Sequence, residues 1–537
     1  MDILLVNAIF GKKRLSEPMG LCYLAAVLRA NGYRNVTILE PRILDMSVDD
    51  VVQRVLSVDP DVLGISTFSF QKGHVFDLVR RSRQRGFRGV IVLGGLGATL
   101  CHEVYLRECP EIDSIVCGEG ELTFLDMVRA LSSGSQDWKT LKGVAWRDEA
   151  GQVHYNRGRE RIRNLDELPF MARDVLEQNI SLLGRERVTA CVMGGRGCYN
   201  NCSFCWISNA LDMQEGLRYR QRSVRNIVDE IQMIVETYGV TDFSFEDDNF
   251  ILPGAAGIER AREFRDEVKK RGLKITFFFQ TRPDTVTREA ISLFKEAGLA
   301  KLFIGIEAIT EEDLALYKKC CTPQQLEECL AILRDLDYLP DVEREHRGRV
   351  RFGYIAFHPL TTVKSLRQSL EFFQRHRLTP KRLLTKINLY DGDMDIARAF
   401  AEKGAAVEGG TYQFKDPMVG KIYECFSEYC GKVFEYREAI RSIEKHLARL
   451  GASRSDYEDL CADRRRLDDM ALGFLGGLLS IAEESGDMEE RRARLDRLLA
   501  EELERFDCYA RETNLSGRIQ ECAAKHGATS GMHDMYW

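Results

Sequence analysis

Three cysteines, Cys198, Cys202 and Cys205, stand within eight residues of the stretch "GGRGCYNNCSFCWIS", Gly194 to Ser208, with gaps of three and then two residues. A structural zinc site closes with four nitrogen or sulfur ligands, and no fourth ligand follows here at a finger-like spacing. A cubane iron-sulfur cluster held by three thiolates leaves one iron without a protein ligand, open to substrate or cofactor. The motif is flanked by glycine and follows an apolar run, "VTACVMGG", which places it at a strand end, where β/α barrels carry their active sites. Spacing and context together point to chemistry at an open iron.

The elements that must position this loop alternate. After "VTACVMGG" come "GVTDFSFEDDNF", "KITFFFQTRPD", "AKLFIGIEA", "RVRFGYIAFHP" and "LLTKINLYDGD", separated by helical patterns such as "SVRNIVDEIQMIVETYG". Six strands with intervening helices predict a β/α partial TIM barrel. Upstream, "DILLVNAIF", "NVTILEP", "VLGISTFSF", "GVIVLGG" and "IDSIVCGEG" alternate with helices in a βαβ rhythm, predicting a flavodoxin- or Rossmann-like doubly wound parallel sheet. The fold class is therefore α/β: a doubly wound domain over 1–135, a linker over 136–186 holding a hairpin at "VAWRDEAGQVHYNRG", a barrel core over 187–394, and a helical domain over 395–537. The aromatic end "MHDMYW" is expected to cover the active site or to pack.

Composition narrows the function classes. A 537-residue chain exceeds a single core, and a charged content of 30% describes an ordinary globular protein rather than a disordered one. The formal net charge of -7 supplies no basic field for a polyanion, so duplex nucleic acid is not expected as the partner. The start "MDILLVNAIFGKK" places its acid before the apolar run and its lysines after it, the reverse of a secretory signal. The longest apolar run, "MALGFLGGLLSIA" at Met470 to Ala482, falls short of the roughly 20 residues a membrane span needs and reads as a buried helix. Sixteen cysteines without such a signal suit a reducing compartment, so a cytoplasmic location is expected. Cys320, Cys321, Cys425, Cys430, Cys461, Cys508 and Cys522 lack compact ligand spacing and read as ordinary thiols.

The cysteine motif, with Phe204 before its last cysteine, resembles the CxxxCxxC signature of radical S-adenosylmethionine (SAM) enzymes. The resemblance implies a [4Fe-4S] cluster on Cys198, Cys202 and Cys205, with SAM chelating the open iron. It also implies SAM contacts from Phe204, from Glu246 or Asp247 in "FSFEDDNF", from Arg282 in "QTRPD" to the carboxylate, and from Glu307 in "IGIEA". "YIAFHPLTT" departs from the commoner glycine- and proline-rich turn of relatives and places His358 at that position. Ahead of this core, "VLGISTFSF", "VLGGLGATL" and "VCGEGELTF" resemble the N-terminal domain of the cobalamin-dependent class. That likeness implies cobalamin enclosed by Ser66, Thr67, Phe70, Gly94, Gly95, Thr99, Gly118 and Glu119. The DxHxxG motif that carries a cobalt-ligating histidine in many B12 proteins is absent. The lower face of cobalt is therefore expected beneath Phe68, Ser69, Phe70 or Gln71, with His74 and His102 on the surface.

The resemblance implies a B12-dependent radical SAM methyltransferase acting on an unactivated carbon, or a phosphorus, of a small molecule, fed by an electron donor such as flavodoxin or ferredoxin. The same cofactor pair also serves cyclisations and rearrangements, and a cobalamin-binding redox sensor is the alternative of a different class. tRNA modification is disfavoured, because no basic RNA-binding appendage is present.

Overall fold

The computed structural model describes residues 1–11, 16–339, 350–389, 394–408, 410–450 and 457–525. It divides into two compact units, with the boundary between Phe303 and Ile304. The first unit opens with a parallel sheet of β1 (Ile3–Asn7), β2 (Val36–Leu39), β3 (Val62–Ser66), β4 (Val90–Gly94) and β5 (Ser114–Val116) in the order 2-1-3-4-5. All five residues of β1 are buried, as a strand covered by helices on both faces requires. Its register sets Ile3 beside Val36 on one side and Val62 on the other. The order reverses between β1 and β3, and in open α/β sheets that switch point opens a crevice at the carboxyl ends of the strands.

The stretch expected to be a linker is in part sheet. β6 (Val144–Arg147) and β7 (Val153–Tyr155) form the expected hairpin, and β6 pairs antiparallel with β5, Val116 against Val144, to extend the sheet to seven strands. Val144 and Ala145 are fully buried, one on each face of the sheet, and Trp146, on the face of Val144, stacks on its cross-strand partner His154 at 4.6 Å. An antiparallel edge on a parallel sheet is a common termination.

The barrel portion begins at β8 (Ala190–Val192). The short antiparallel pair β9 (Gly195–Gly197) and β10 (Tyr219–Gln221) follows. Then come β11 (Asp242–Phe245), β12 (Thr276–Thr281) and β13 (Leu299–Glu307). β8, β11 and β12 are adjacent and parallel. The helix Val224–Tyr238 shows why the crossovers form: Ser223 caps its start by accepting from Asn226 N–H, Gly239 ends it at φ +68°, and Ile227, Val228, Ile231 and Ile234 make one buried stripe. Between sheet and helices lies a cluster of Phe245, Phe250, Phe264, Phe277, Phe279 and Phe294, with ring centroids from 4.6 Å apart.

The unit boundary falls within β13. In the second unit β14 (Val350–Tyr354) neighbours the end of that strand, and Ile355 N–H donates to Glu307 O at 2.8 Å. The expected sixth strand, "LLTKINL", is reduced to a single parallel bridge between Phe357 and Lys386. Pro380 opens a 3₁₀ turn over Pro380–Leu384 that takes up the first residues of that stretch, and the ladder is continued by Thr385 O, accepting from Ala356 and Phe357, and by Ile387 N–H, donating to Phe357 O. The C-terminal region is helical as expected, with Pro417–Arg449, Glu458–Glu483, Met488–Glu512 and Leu515–Lys525. Leu475, Leu478 and Leu479 of the apolar run are fully buried. No described helix is long and apolar enough to cross a membrane. The terminal "MHDMYW" lies outside the described residues.

Candidate functional site

The cysteine loop joins β9 to the helix Trp206–Asp212. Gly197 starts it at φ +78°, and a Cβ there would stand 1.9 Å from Arg218 O, so only glycine passes this close to β10. Cys202 is buried, and Cys198 and Cys205 are half-buried. Burial pushes the Cys198 thiol up, opposed by Asn200 N–H and the Arg282 charge. Burial pushes Cys205 up to about 12, opposed by the backbone N–H of Ser208. Such thiols become ligands only when iron displaces their protons. Among the described residues, no three His, Cys, Asp or Glu side chains converge as a single ion would need. A cubane instead spreads its three thiolates over separate irons, which is the donor set this loop presents.

The other residues singled out in the barrel are placed as follows. Arg282 is buried with its Nη1 3.6 Å from Cys202 Sγ and its Nε 2.8 Å from Asp284. Glu246 is exposed at the end of β11 and accepts from Ser244 Oγ at 2.7 Å. Asp247 is buried, and its carboxylate accepts Gly194 N–H at 2.8 Å. Asp248, the next residue, accepts Gly197 N–H at 3.1 Å, a contact that no local sequence signal marks. Phe204 is half-buried beside Cys205. Glu307 and His358 belong to the second unit. Glu307 ends β13 at φ +66°, a strained conformation for a residue with a Cβ. His358 is buried, with its Nε2 3.0 Å from Asp313 and its Nδ1 accepting from Leu360 N–H, so both ring nitrogens are engaged within that unit.

A cavity of about 430 Å³ opens at the carboxyl ends of β3, β4 and β5. Ser66, Gly94, Gly95, Thr99, Gly118 and Glu119 line it, six of the eight residues expected there. Gly95 adopts φ +86°, and a Cβ would meet Thr67 O at 2.8 Å. Thr67 does not line the cavity; it knits the wall behind it, donating N–H to Gly94 O and accepting from Gly97 N–H. Phe70 also does not line it: it is 65% exposed and stacks on Phe68, which does. Gln71 is buried and accepts from Phe68 N–H. His74 is exposed as expected, whereas His102 is half-buried, its Nδ1 3.1 Å from Thr99 O. Neither histidine lines the cavity. Gly118 N–H donates to Thr99 Oγ1. Burial raises the Glu119 carboxyl, but Arg220 and Arg196 outweigh it and hold that group below its ordinary value.

The opposite wall comes from the cysteine-bearing segment itself, through Arg196, Gly197, Ile207, Leu211 and Gln214, with Asp248 from the loop after β11. Gln214 was not visible in the sequence. Its Oε1 accepts Glu119 N–H at 3.0 Å, and its Nε2 donates to Arg159 O at 3.1 Å. The glycine cradle over an apolar floor of Leu5, Leu21, Val92 and Phe124 fits a planar apolar group with a polar tail, such as a nucleotide.

Comparison with known proteins bears on both walls. Residues 13–128 match the family model of the B12 binding domain, and residues 192–342 match that of the radical SAM superfamily. Over 308 residues the chain is 32% identical to an uncharacterized methyltransferase of Pyrococcus horikoshii, covering 57% of this chain and 64% of that protein. It is 29% identical over 323 residues to the anaerobic magnesium-protoporphyrin IX monomethyl ester cyclase of Rubrivivax gelatinosus, covering 59% and 56%. The chain thus matches less than two thirds of the length of these curated relatives. Its fold is that of the cobalamin-dependent S-adenosylmethionine radical enzyme OxsB, solved with aqua-cobalamin and S-adenosylmethionine bound, with a TM-score of 0.74 at 18% identity over 98% of this chain and 84% of that one.

Proposed function

Because the chain joins a B12-binding domain to a radical SAM domain, we propose that it is a B12-dependent radical SAM methyltransferase acting on an unactivated carbon or phosphorus of a small molecule. The observation that carries this reading is the shared wall: Gly197, immediately before Cys198, and Ile207, two residues after Cys205, line the same cavity as the glycine loops of the first domain. When bound, a [4Fe-4S] cluster, SAM and cobalamin supply one-electron cleavage, hydrogen abstraction and a transferable methyl group.

The chain's own residues would hold and shield these groups. Cys198, Cys202 and Cys205 would ligate the cluster, with the Arg282 guanidinium beside Cys202 balancing thiolate charge. Glu246, at the exposed strand end, would accept from the SAM ammonium, and Arg282 would meet its carboxylate. Ser66, Gly94, Gly95, Thr99 and Gly118 would enclose cobalamin through backbone contacts, while Phe68 keeps water from the cavity mouth. A low-potential donor such as flavodoxin or ferredoxin would deliver the electron, in a reducing compartment such as the cytoplasm.

Similarity to a cyclase supports a second reading, a radical cyclisation or rearrangement without methyl transfer. The deciding experiment uses the anaerobically reconstituted, reduced protein with methyl-labelled SAM and candidate substrates. Methyl transfer places label in the product and forms both S-adenosylhomocysteine and 5'-deoxyadenosine. Formation of 5'-deoxyadenosine with an unlabelled, rearranged product would replace the methyltransferase reading with the second one.

A further inference from the structure

Six charged side chains line the cavity, and five of them are accounted for by one another or by the backbone. Arg220 holds Glu119 at 2.6 and 3.0 Å. Arg196 pairs with Glu121. Asp248 accepts Gly197 N–H. The sixth is Arg161. It is 5% exposed, and among the described residues its guanidinium makes no ion pair. Its Nε donates to Leu217 O, its Nη1 to Leu211 O and its Nη2 to Gly216 O, all neutral carbonyls. Five N–H groups less three leave two donors, one on each terminal nitrogen. Burial and the neighbouring Arg220 and Arg218 charges work against its cationic form, and outweigh the support it draws from the Glu119 and Asp212 charges. A buried guanidinium whose direct hydrogen-bond partners are all neutral carbonyls is an expensive arrangement unless an anion completes it.

We propose that Arg161 is the anchor for the phosphodiester of cobalamin's nucleotide tail. The proposal rests on reading the cavity as the cobalamin site. The corrin periphery carries neutral amides, and the tail's phosphodiester is the fixed anion of the molecule. A planar guanidinium with two parallel donors matches two phosphate oxygens, which an ammonium does not. The three carbonyls that Arg161 also holds belong to the segment following the cysteine loop, so an anion seated there would brace that segment at the same time.

The test compares two corrinoids on the cluster-reconstituted full chain: hydroxocobalamin, and cobinamide, which has the same corrin without the phosphate and nucleotide. In Arg161→Gln the affinity for cobalamin should fall roughly tenfold to a hundredfold, as expected for a lost charge-assisted contact, with cobinamide affinity held within about twofold. Equal losses for both corrinoids, or no loss for either, would overturn the proposal. Should Arg161→Gln fail to fold, the ³¹P resonance of cobalamin bound to the native protein decides: a shift from the free value is expected, and an unshifted line counts against Arg161. Failure of the native protein to bind either corrinoid would instead remove the cobalamin reading of the cavity, a distinct result.

Discussion

Asp247 and Asp248 hold the glycine run that leads into the cysteine loop, through Gly194 N–H and Gly197 N–H. Burial pushes their carboxyls up to about 7 and about 6. The sign follows from linkage. A carboxyl whose folded value lies above its ordinary 3.8 binds its proton more tightly in the native state, so its contribution to stability is complete below about pH 4 and is lost as pH rises through 7. Asp247→Asn keeps an acceptor for Gly194 N–H and removes the titration. The metal-free variant should therefore lose less denaturant resistance than the parent between pH 5 and pH 8, and identical slopes would clear Asp247 of that role. "FEDDNF" is legible in the sequence as a strand end rich in acids, but Asp247 and Glu246 are offered there as interchangeable. The alternation that buries Phe243 and Phe245 continues to Asp247 and turns it inward, leaving Glu246 exposed, a period-two argument the sequence did permit.

At the scale of elements, the two loops that face each other across the cavity each depend on a glycine with positive φ. Gly95→Ala would set a Cβ against Thr67 O and Ser66 Oγ in the first domain, and Gly197→Ala would set one against Arg218 O at the base of the cysteine loop. The left-handed conformation alone costs about 1–2 kcal/mol for alanine, before the clash. Gly95→Ala should weaken corrinoid binding with iron content retained, whereas Gly197→Ala should lower iron and sulfide content by parting β9 from β10. Iron analysis and corrinoid titration of both variants check this, and the reverse pattern would reassign the loops. Both loops were legible because strand–glycine junctions are local signals. The hairpin at Val144 to Tyr155 was legible too, but not its pairing with β5, which depends on which sheet edge lies open. Arg161 and Gln214 carry no local pattern, and their roles come only from the carbonyls and amides that folding brings to them.

At the scale of the molecule, the first unit holds the B12-binding domain and the part of the radical SAM domain up to Phe303, and a buried network of four charges runs between them. Glu17, just before the helix Met19–Ala30, accepts from Arg173 Nη1 at 3.0 Å; Arg173 Nη2 reaches Glu230 at 2.7 Å; and Arg222 Nη1 holds the other oxygen of Glu230. Arg173 Nη1 also donates to Cys191 O on β8, and Glu17 accepts Cys191 N–H, so the first barrel strand is fixed to the first domain by backbone as well as charge. Burial raises the Glu17 carboxyl even with Arg173 beside it, a measure of how costly this acid would be alone. Removing one partner from such a network strands the others without solvent, a loss of about 3–5 kcal/mol. Arg173→Met is therefore expected to lower the unfolding midpoint and to reduce iron content and corrinoid binding in step, since the walls they share would no longer be held in register. Arg173→Lys keeps one positive charge but cannot fork between Glu17, Glu230 and Cys191 O, so it should fall between the two. The readout is the correlation: if iron content and corrinoid affinity fall independently across native protein, Arg173→Lys and Arg173→Met, the network stabilises one domain alone and does not set their spacing.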